Sequence, residues 1–349
     1  MSAGLVSPSA VEVVVGSRVR RASRRRLVVA VLAVSAVVVL AGTLMVGRTF
    51  YPPGDVLRVI LGEQVPGASF TVGRLRLPRG VLAVVAGLSF GLAGVTFQTM
   101  LRNPLASPDV IGISTGASAA AAVAIVVLGL GGTAVSVFAI VAGLVVALLI
   151  YLLAYKDGGA GTRFILIGIG MAAMLHSVIA SVLSRAGQWE WQEATRWLNG
   201  SLNGATWERA LPALLALVVL APVLLGRTRQ LSALQLGDDT ASALGVPVER
   251  TRVVAIVAAV GLIAFSTAAC GPIAFVAFLA GPIAARILGP NGSLLLPAAL
   301  VGAVLVLVAD LVGQFAFGTP YPVGVITGVL GAPYLIYLIV RTNRAGGSL

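Results

Sequence analysis

Residues 74–104 read RLRLPRGVLAVVAGLSFGLAGVTFQTMLRNP: three arginines around a proline, then the 22 residues from Gly80 to Leu101 without a charge, then Arg102-Asn103-Pro104. About 20 apolar residues in a helix cross a hydrocarbon layer of roughly 30 Å. A charge-free run of that length, bounded by arginines, reads as a transmembrane helix. Its glycines Gly87, Gly91 and Gly94 leave room for other helices to approach closely.

Outward from this stretch the same pattern recurs. Leu27 to Val46 precedes it; Ile113 to Leu130, Thr133 to Tyr155, Phe164 to Ser184, Ala210 to Gly226, Val253 to Ala269, Ile273 to Leu288, Leu294 to Phe317 and Val323 to Val340 follow. The Ile273–Leu288 run is short and interrupted by glycine and proline, and Gly168 and Gly170 add small residues to the Phe164 run. With 58% hydrophobic and 10% charged residues and a mean hydropathy of +1.02, the chain carries more apolar surface than one soluble core of this length absorbs. The expected fold is all-α: a polytopic membrane bundle of about ten transmembrane helices spanning 27–340, with a basic tail at 1–26 and a short tail at 341–349. Leu27–Val46 follows its basic tail as a signal peptide would, but its length and the lack of a small-residue cleavage pattern make it a retained span.

The net charge of +12, from 24 basic and 12 acidic residues, is spread between apolar runs instead of over one face. It reads as membrane topology, not as a nucleic-acid surface. Placing the N-terminus in the cytoplasm puts 16 of the 24 basic residues inside, among them the arginines from Arg18 to Arg26, Arg102, Lys156, Arg163, Arg286 and Arg341. Both tails are then cytoplasmic, in an inner membrane. Arg74, Arg76 and Arg79 fall outside, against the positive-inside rule.

Several chemistries are excluded by residue supply. Cys270 is the only cysteine and His176 the only histidine, so neither a disulfide nor a Cys/His metal cluster can form; no metal or cofactor is expected. The only lysine, Lys156, is in no phosphate-cradling glycine loop, so the chain does not hydrolyse ATP. No nucleophile, base and stabiliser converge as an enzyme requires. A proton-coupled secondary transporter needs titratable groups at mid-membrane, and only Asp310 and His176 offer themselves. Asp310 reads as a cap or packing hydrogen bond near the outer end of its span, and His176 as a packed, hydrogen-bonded residue. Trp189, Trp191, Trp197 and Trp207 suit an outer membrane surface.

Further short motifs are ordered along the chain: Leu75-Arg76-Leu77-Pro78-Arg79, Asn103-Pro104-Leu105-Ala106-Ser107-Pro108-Asp109, Trp197-Leu198-Asn199-Gly200-Ser201, Leu236-Gly237 with Leu244-Gly245-Val246, Gly271-Pro272-Ile273-Ala274-Phe275-Val276, Ala309-Asp310-Leu311, Pro322-Val323-Gly324-Val325 and Gly331-Ala332-Pro333. In this order they resemble the permease family that imports iron-siderophores, haem and cobalamin, often called FecCD. The resemblance implies a type II ABC importer permease carrying a ferric siderophore, with haem or cobalamin as the alternative cargo. It also implies partners: ABC ATPase subunits that bind ATP, a periplasmic or lipoprotein substrate-binding protein, and a second copy or a paralogous permease within the lipid bilayer.

On this resemblance Arg76 and Arg79 dock the binding protein, their guanidinium groups being suited to bidentate pairing with carboxylates. The inner segment 227–252 has the pattern of short amphipathic helices. Within it Leu236, Gly237, Asp238, Ala241, Leu244 and Gly245 are expected to form a helix, with Asp238 or Asp239 as N-cap and Gly245 as stop. The resemblance seats that helix on the ATPase, and it aligns Gly161-Thr162 with the cytoplasmic constriction. Two departures stand out: Gln314 where the family often has arginine, and Ile283 where many members have histidine.

Overall fold

The computed structural model describes residues 8–109, 111–154, 161–289 and 292–345, and for 8–14, 161–162, 339 and 341–345 only the backbone. In chain order the helices are α1 (Pro8–Met45), α2 (Pro53–Ile60), α3 (Ala68–Phe70), a π-helical stretch (Thr71–Arg76), α4 (Leu77–Met100), α5 (Ile113–Val126), α6 (Thr133–Ala154), α7 (Gly161–Leu183), α8 (Gln188–Leu198), α9 (Trp207–Gly226), α10 (Thr228–Leu234), α11 (Asp238–Ala243), α12 (Val248–Cys270), α13 (Val276–Leu288), α14 (Leu295–Phe315) and α15 (Val323–Ala345). Among the described residues there is no strand.

Among the described residues seven helical stretches are long and apolar enough to cross a membrane, and three shorter apolar ones accompany them: Ile113–Val126, Val276–Leu288 and Val323–Leu338. Each of the ten coincides with a run read from the sequence, but three boundaries move. The second span extends back through Pro78 to Ala68: Pro78 stands in the first turn of α4, where its missing N–H is tolerated, and the π-helical stretch Thr71–Arg76 and α3 continue the helical path before it. The eighth begins at Val276, since Gly271 and Phe275 take left-handed φ values of 73° and 64° that no α-helix accommodates. The basic tail is not separate from the first span: α1 runs unbroken from Pro8, and Arg24 and Arg25 donate to the carbonyls of Ile287 and Ser293.

Two helices were not legible as such. In α2, Pro53 opens the helix and Asp55 sits in its first turn; α8 follows an extended Gly187 and gathers three of the four tryptophans.

The centre of the bundle is α4, packed most extensively against α14 and also against α12, α13 and α9. Its glycines explain how closely. A Cβ at Gly87 would lie 2.7 Å from the Ala303 nitrogen, and Cβ atoms at Gly91 and Gly94 would collide with the carbonyl oxygens of Ala298 and Ala277. Gly168 in α7 is closed off by Ile111 in the same way, whereas Gly170 faces open space.

The connection from α4 to α5 enters the bundle: Ala106, Ser107, Pro108 and Ile111 are buried. By contrast α6, α7 and α9 expose apolar rows, including Leu148, Leu152, Leu166, Met174, Leu215 and Val219. In a membrane protein such rows meet lipid or another subunit.

Candidate functional site

The motifs quoted from the sequence meet in space. At one end of the bundle, Ser201 N donates to Cys270 O at 2.7 Å and Gly324 N to Gly200 O at 3.1 Å. Side chains at Gly200, Gly271 and Gly324 would strike the carbonyl oxygens of Pro272, Trp197 and Asn199. Three segments more than 50 residues apart thus touch backbone to backbone, which only glycine allows. Phe275, in its left-handed conformation, lays its ring against Gly331 of α15, and Gln98 Nε2 donates to Phe278 O at 3.0 Å.

At that same end Asp310 of α14 is paired. Arg79 donates through Nε to Oδ2 at 2.9 Å and through Nη2 to Oδ1 at 2.8 Å, a bidentate fork, and its Nη1 reaches Asn203 Oδ1 at 2.8 Å. Gln314 Nε2 adds a bond to Asp310 Oδ2 at 2.7 Å. The Asp310 side chain is 4% exposed and that of Arg79 21%. Arg76 is also turned inward, donating to the carbonyls of Leu44, Met45 and Thr49 at 2.7–2.9 Å and lying 5.1 Å from the centroid of the Tyr51 ring.

Two expectations change accordingly. The guanidinium groups of Arg76 and Arg79, read as open charge at the mouth, are committed within the chain. Asp310, read as a cap or packing residue, is the anion of an interhelical ion pair. Arg76 and Arg79 thus contrast with Arg48, Arg58, Arg74, Arg185, Arg196 and Arg209, which are exposed.

At the opposite end lies a second ionic cluster. Arg102, just past α4 in a left-handed conformation (φ 52°), donates through Nε to Leu234 O at 2.8 Å and pairs with Asp238 Oδ1. The other oxygen of Asp238 accepts from Arg252 Nη2 at 2.9 Å. Glu249, 3.8 Å from Arg252 Nη1, accepts from the Tyr151 hydroxyl of α6 at 2.7 Å.

Asp238 therefore does not cap α11. Gly237 precedes that helix at φ 109° with no side-chain cap, and the Asp238 carboxylate is drawn to the two arginines instead. Gly245, at φ 80°, does follow the helix as the stop residue. Of the apolar residues in this segment, Ala241 is buried, whereas Leu236 and Leu244 are 62% and 64% exposed.

Between the two ends runs a cavity of about 520 Å³, whose lining includes Asp109, Ser114, Ser118, His176, Phe275 and Phe278. His176 is exposed on α7 instead of packed. Asp109 accepts from Ser114 Oγ at 2.6 Å, and its Oδ2 is enclosed with no partner among the described residues. Burial pushes its carboxyl above the ordinary range, and the hydroxyls of Ser114 and Ser107 pull it back. Of the expected constriction, Gly161 opens α7, but the Thr162 side chain, like all of Lys156, lies outside the described residues. Among the described residues no three His, Cys, Asp or Glu side chains are gathered as a metal would need.

Comparison with known proteins yields a consistent set. The family model described as the FecCD transport family matches residues 31–341. The chain is 42% identical over 328 residues to the ferric enterobactin transport system permease protein FepG of Escherichia coli (strain K12), covering 92% of this chain and 98% of that one. It is 37% identical to the achromobactin transport system permease protein CbrC of Dickeya dadantii (strain 3937), covering 91% and 92%. A solved metal-chelate type ABC transporter in an inward-facing conformation superposes with a TM-score of 0.81 at 25% identity, over 90% of this chain and 99% of that one.

Proposed function

Because this chain belongs to the FecCD transport family, we propose that it carries ferric-siderophore complexes inward across the cell membrane. It is a multi-pass membrane permease subunit of an ABC importer. The observation that carries the cargo is its near full-length similarity to FepG, a ferric enterobactin permease, with a second siderophore permease close behind.

The two ends of the bundle take different partners in this reading. The Arg102 end, with both termini, faces the cytoplasm, and exposed Leu236 and Leu244 on the inner segment meet an ATPase subunit that supplies ATP binding and hydrolysis. The Arg79 end faces outward and receives a substrate-binding protein, periplasmic or lipid-anchored. Arg76 and Arg79 shape that docking face, and Arg48 and Arg74 give it positive charge. A second copy or a paralogous permease covers exposed apolar rows, and the cavity lined by Asp109 and His176 opens on the path between the two subunits. ATP binding and hydrolysis shift the pair between outward- and inward-open states.

The test is uptake of iron-55 ferric enterobactin by cells with and without the gene, alongside haem and cobalamin. Loss confined to the ferric siderophore is the expected result. Loss of haem or cobalamin uptake instead would change the cargo while keeping the importer.

A further inference from the structure

The inner segment is fastened to the membrane-spanning body through one carboxylate. Asp238 opens α11, and its two oxygens are held by guanidiniums from two different spans: Arg102 past the end of α4, and Arg252 in the first turns of α12. Those two spans are not peripheral: α4 is the helix around which α14, α13 and α9 pack, and α12 also packs against α4, α9 and α6. The Arg252 side chain is 6% exposed, and Thr251 beside it is fully buried, so this arginine has no room to swing. Arg102 is fixed twice, by Asp238 and by the Leu234 carbonyl that ends α10.

We propose that Asp238 is the positioning residue of the coupling step, transmitting a displacement of α10–α11 to both α4 and α12 at once. The inference rests on the proposed function, because it needs an ATPase seated on the exposed side of this segment. Charge-assisted hydrogen bonds to a carboxylate are short and directional. A push on Leu236 or Leu244 therefore reaches two spans through a rigid joint, whereas apolar contacts alone would let the segment slide. The Arg252–Glu249–Tyr151 contacts carry the same movement on to α6.

The experiment uses the complete importer, permease with ATPase and binding protein, in proteoliposomes, reading ferric-siderophore uptake per ATP hydrolysed. In Asp238→Asn one oxygen and the size of the side chain survive but the charge does not. Its uptake per ATP is expected to fall about tenfold, inside the roughly 5- to 150-fold span typical of coupling between sites, with recovery in Asp238→Glu. An unchanged ratio, or uptake and hydrolysis falling in proportion, overturns the proposal.

Should Asp238→Asn fail to assemble, Arg102→Met decides, since it leaves Asp238 and buried Arg252 paired. A fall in its ratio supports the joint and an unchanged ratio rejects it. A wild-type complex that imports haem or cobalamin in place of ferric siderophore overturns only the cargo, and the same ratio is then read with that chelate. A wild-type complex importing none of the three overturns the function and the inference together.

Discussion

The two ends of the bundle solve the same problem in opposite ways. At the Arg79 end, arginine and aspartate on α4 and α14 face each other across the most extensive helix contact in the molecule, and both are largely withdrawn from water. At the Arg102 end, Asp238 is 36% exposed and its partner Arg102 41%, and the aspartate sits on a short helix beside the spans instead of within one. The first arrangement locks two spans together; the second ties a separate segment to spans it can move. A buried pair is costly to break, because either partner left alone is an uncompensated charge. A partly exposed pair is worth little to stability and weakens with salt.

The largest effect is expected from breaking the locked end. Asp310→Ala strands Arg79 within the membrane-spanning bundle and should destabilise the fold by ~3–5 kcal/mol, seen as lost folded protein on extraction and a lowered melting temperature in detergent. Asp238→Asn keeps an oxygen for buried Arg252 and leaves Glu249 3.8 Å from that guanidinium, so its melting temperature should fall less than that of Asp310→Ala while transport is uncoupled. If both variants behaved alike, the contrast between a lock and a joint would be wrong.

Next comes Arg76→Gln. It removes donors to three carbonyls around the α1–α2 turn and should cost about 1–2 kcal/mol, in keeping with hydrogen bonds from a charged donor. Proteolysis should show that the loss is confined to the 45–70 region. The variant also separates shape from charge at the docking face: weaker binding-protein affinity in Arg76→Gln without loss in Arg74→Gln would make the turn, and not net charge, the recognised feature. Smaller still is Gln314→Leu, which deletes one bond to Asp310 and should cost about 1 kcal/mol with the Arg79 fork intact.

The spans were readable because the membrane demands long apolar runs, a constraint local in sequence. The pairing of Arg79 is not legible in the sequence because the contact is not local: Arg79 and Asp310 are 231 residues apart, and nothing near either one announces the other. A hint did exist. Three arginines where the positive-inside rule disfavours them, and one carboxylate inside an apolar run, are two costly features that cancel when paired. Gln314 fits the same logic, since an amide suffices beside an aspartate already neutralised. Asp238 was misassigned for a related reason: an N-cap is the local role of an aspartate before a helix, and two arginines from other spans outbid it.

Asp109 sharpens the comparison, as a buried carboxylate oxygen with no cation beside it among the described residues. Asp310 has one arginine and Asp238 two, but Asp109 has only serine hydroxyls, and among those residues its enclosed Oδ2 has no partner. Burial without a counter-charge disfavours ionisation, consistent with its raised pKa. An unfolded aspartate ionises above a pH of about 4, so the native chain loses stability as pH climbs from there toward the raised folded value. Asp109→Asn keeps an oxygen to accept from Ser114 and carries no charge, so it escapes that loss. The variant should match or slightly exceed wild-type thermal stability at neutral pH, with the difference vanishing near pH 4, opposite in sign to Asp310→Ala. A destabilised Asp109→Asn at neutral pH would mean that the ionised carboxylate is needed, and that a cation from the second permease subunit or from the cargo completes the site.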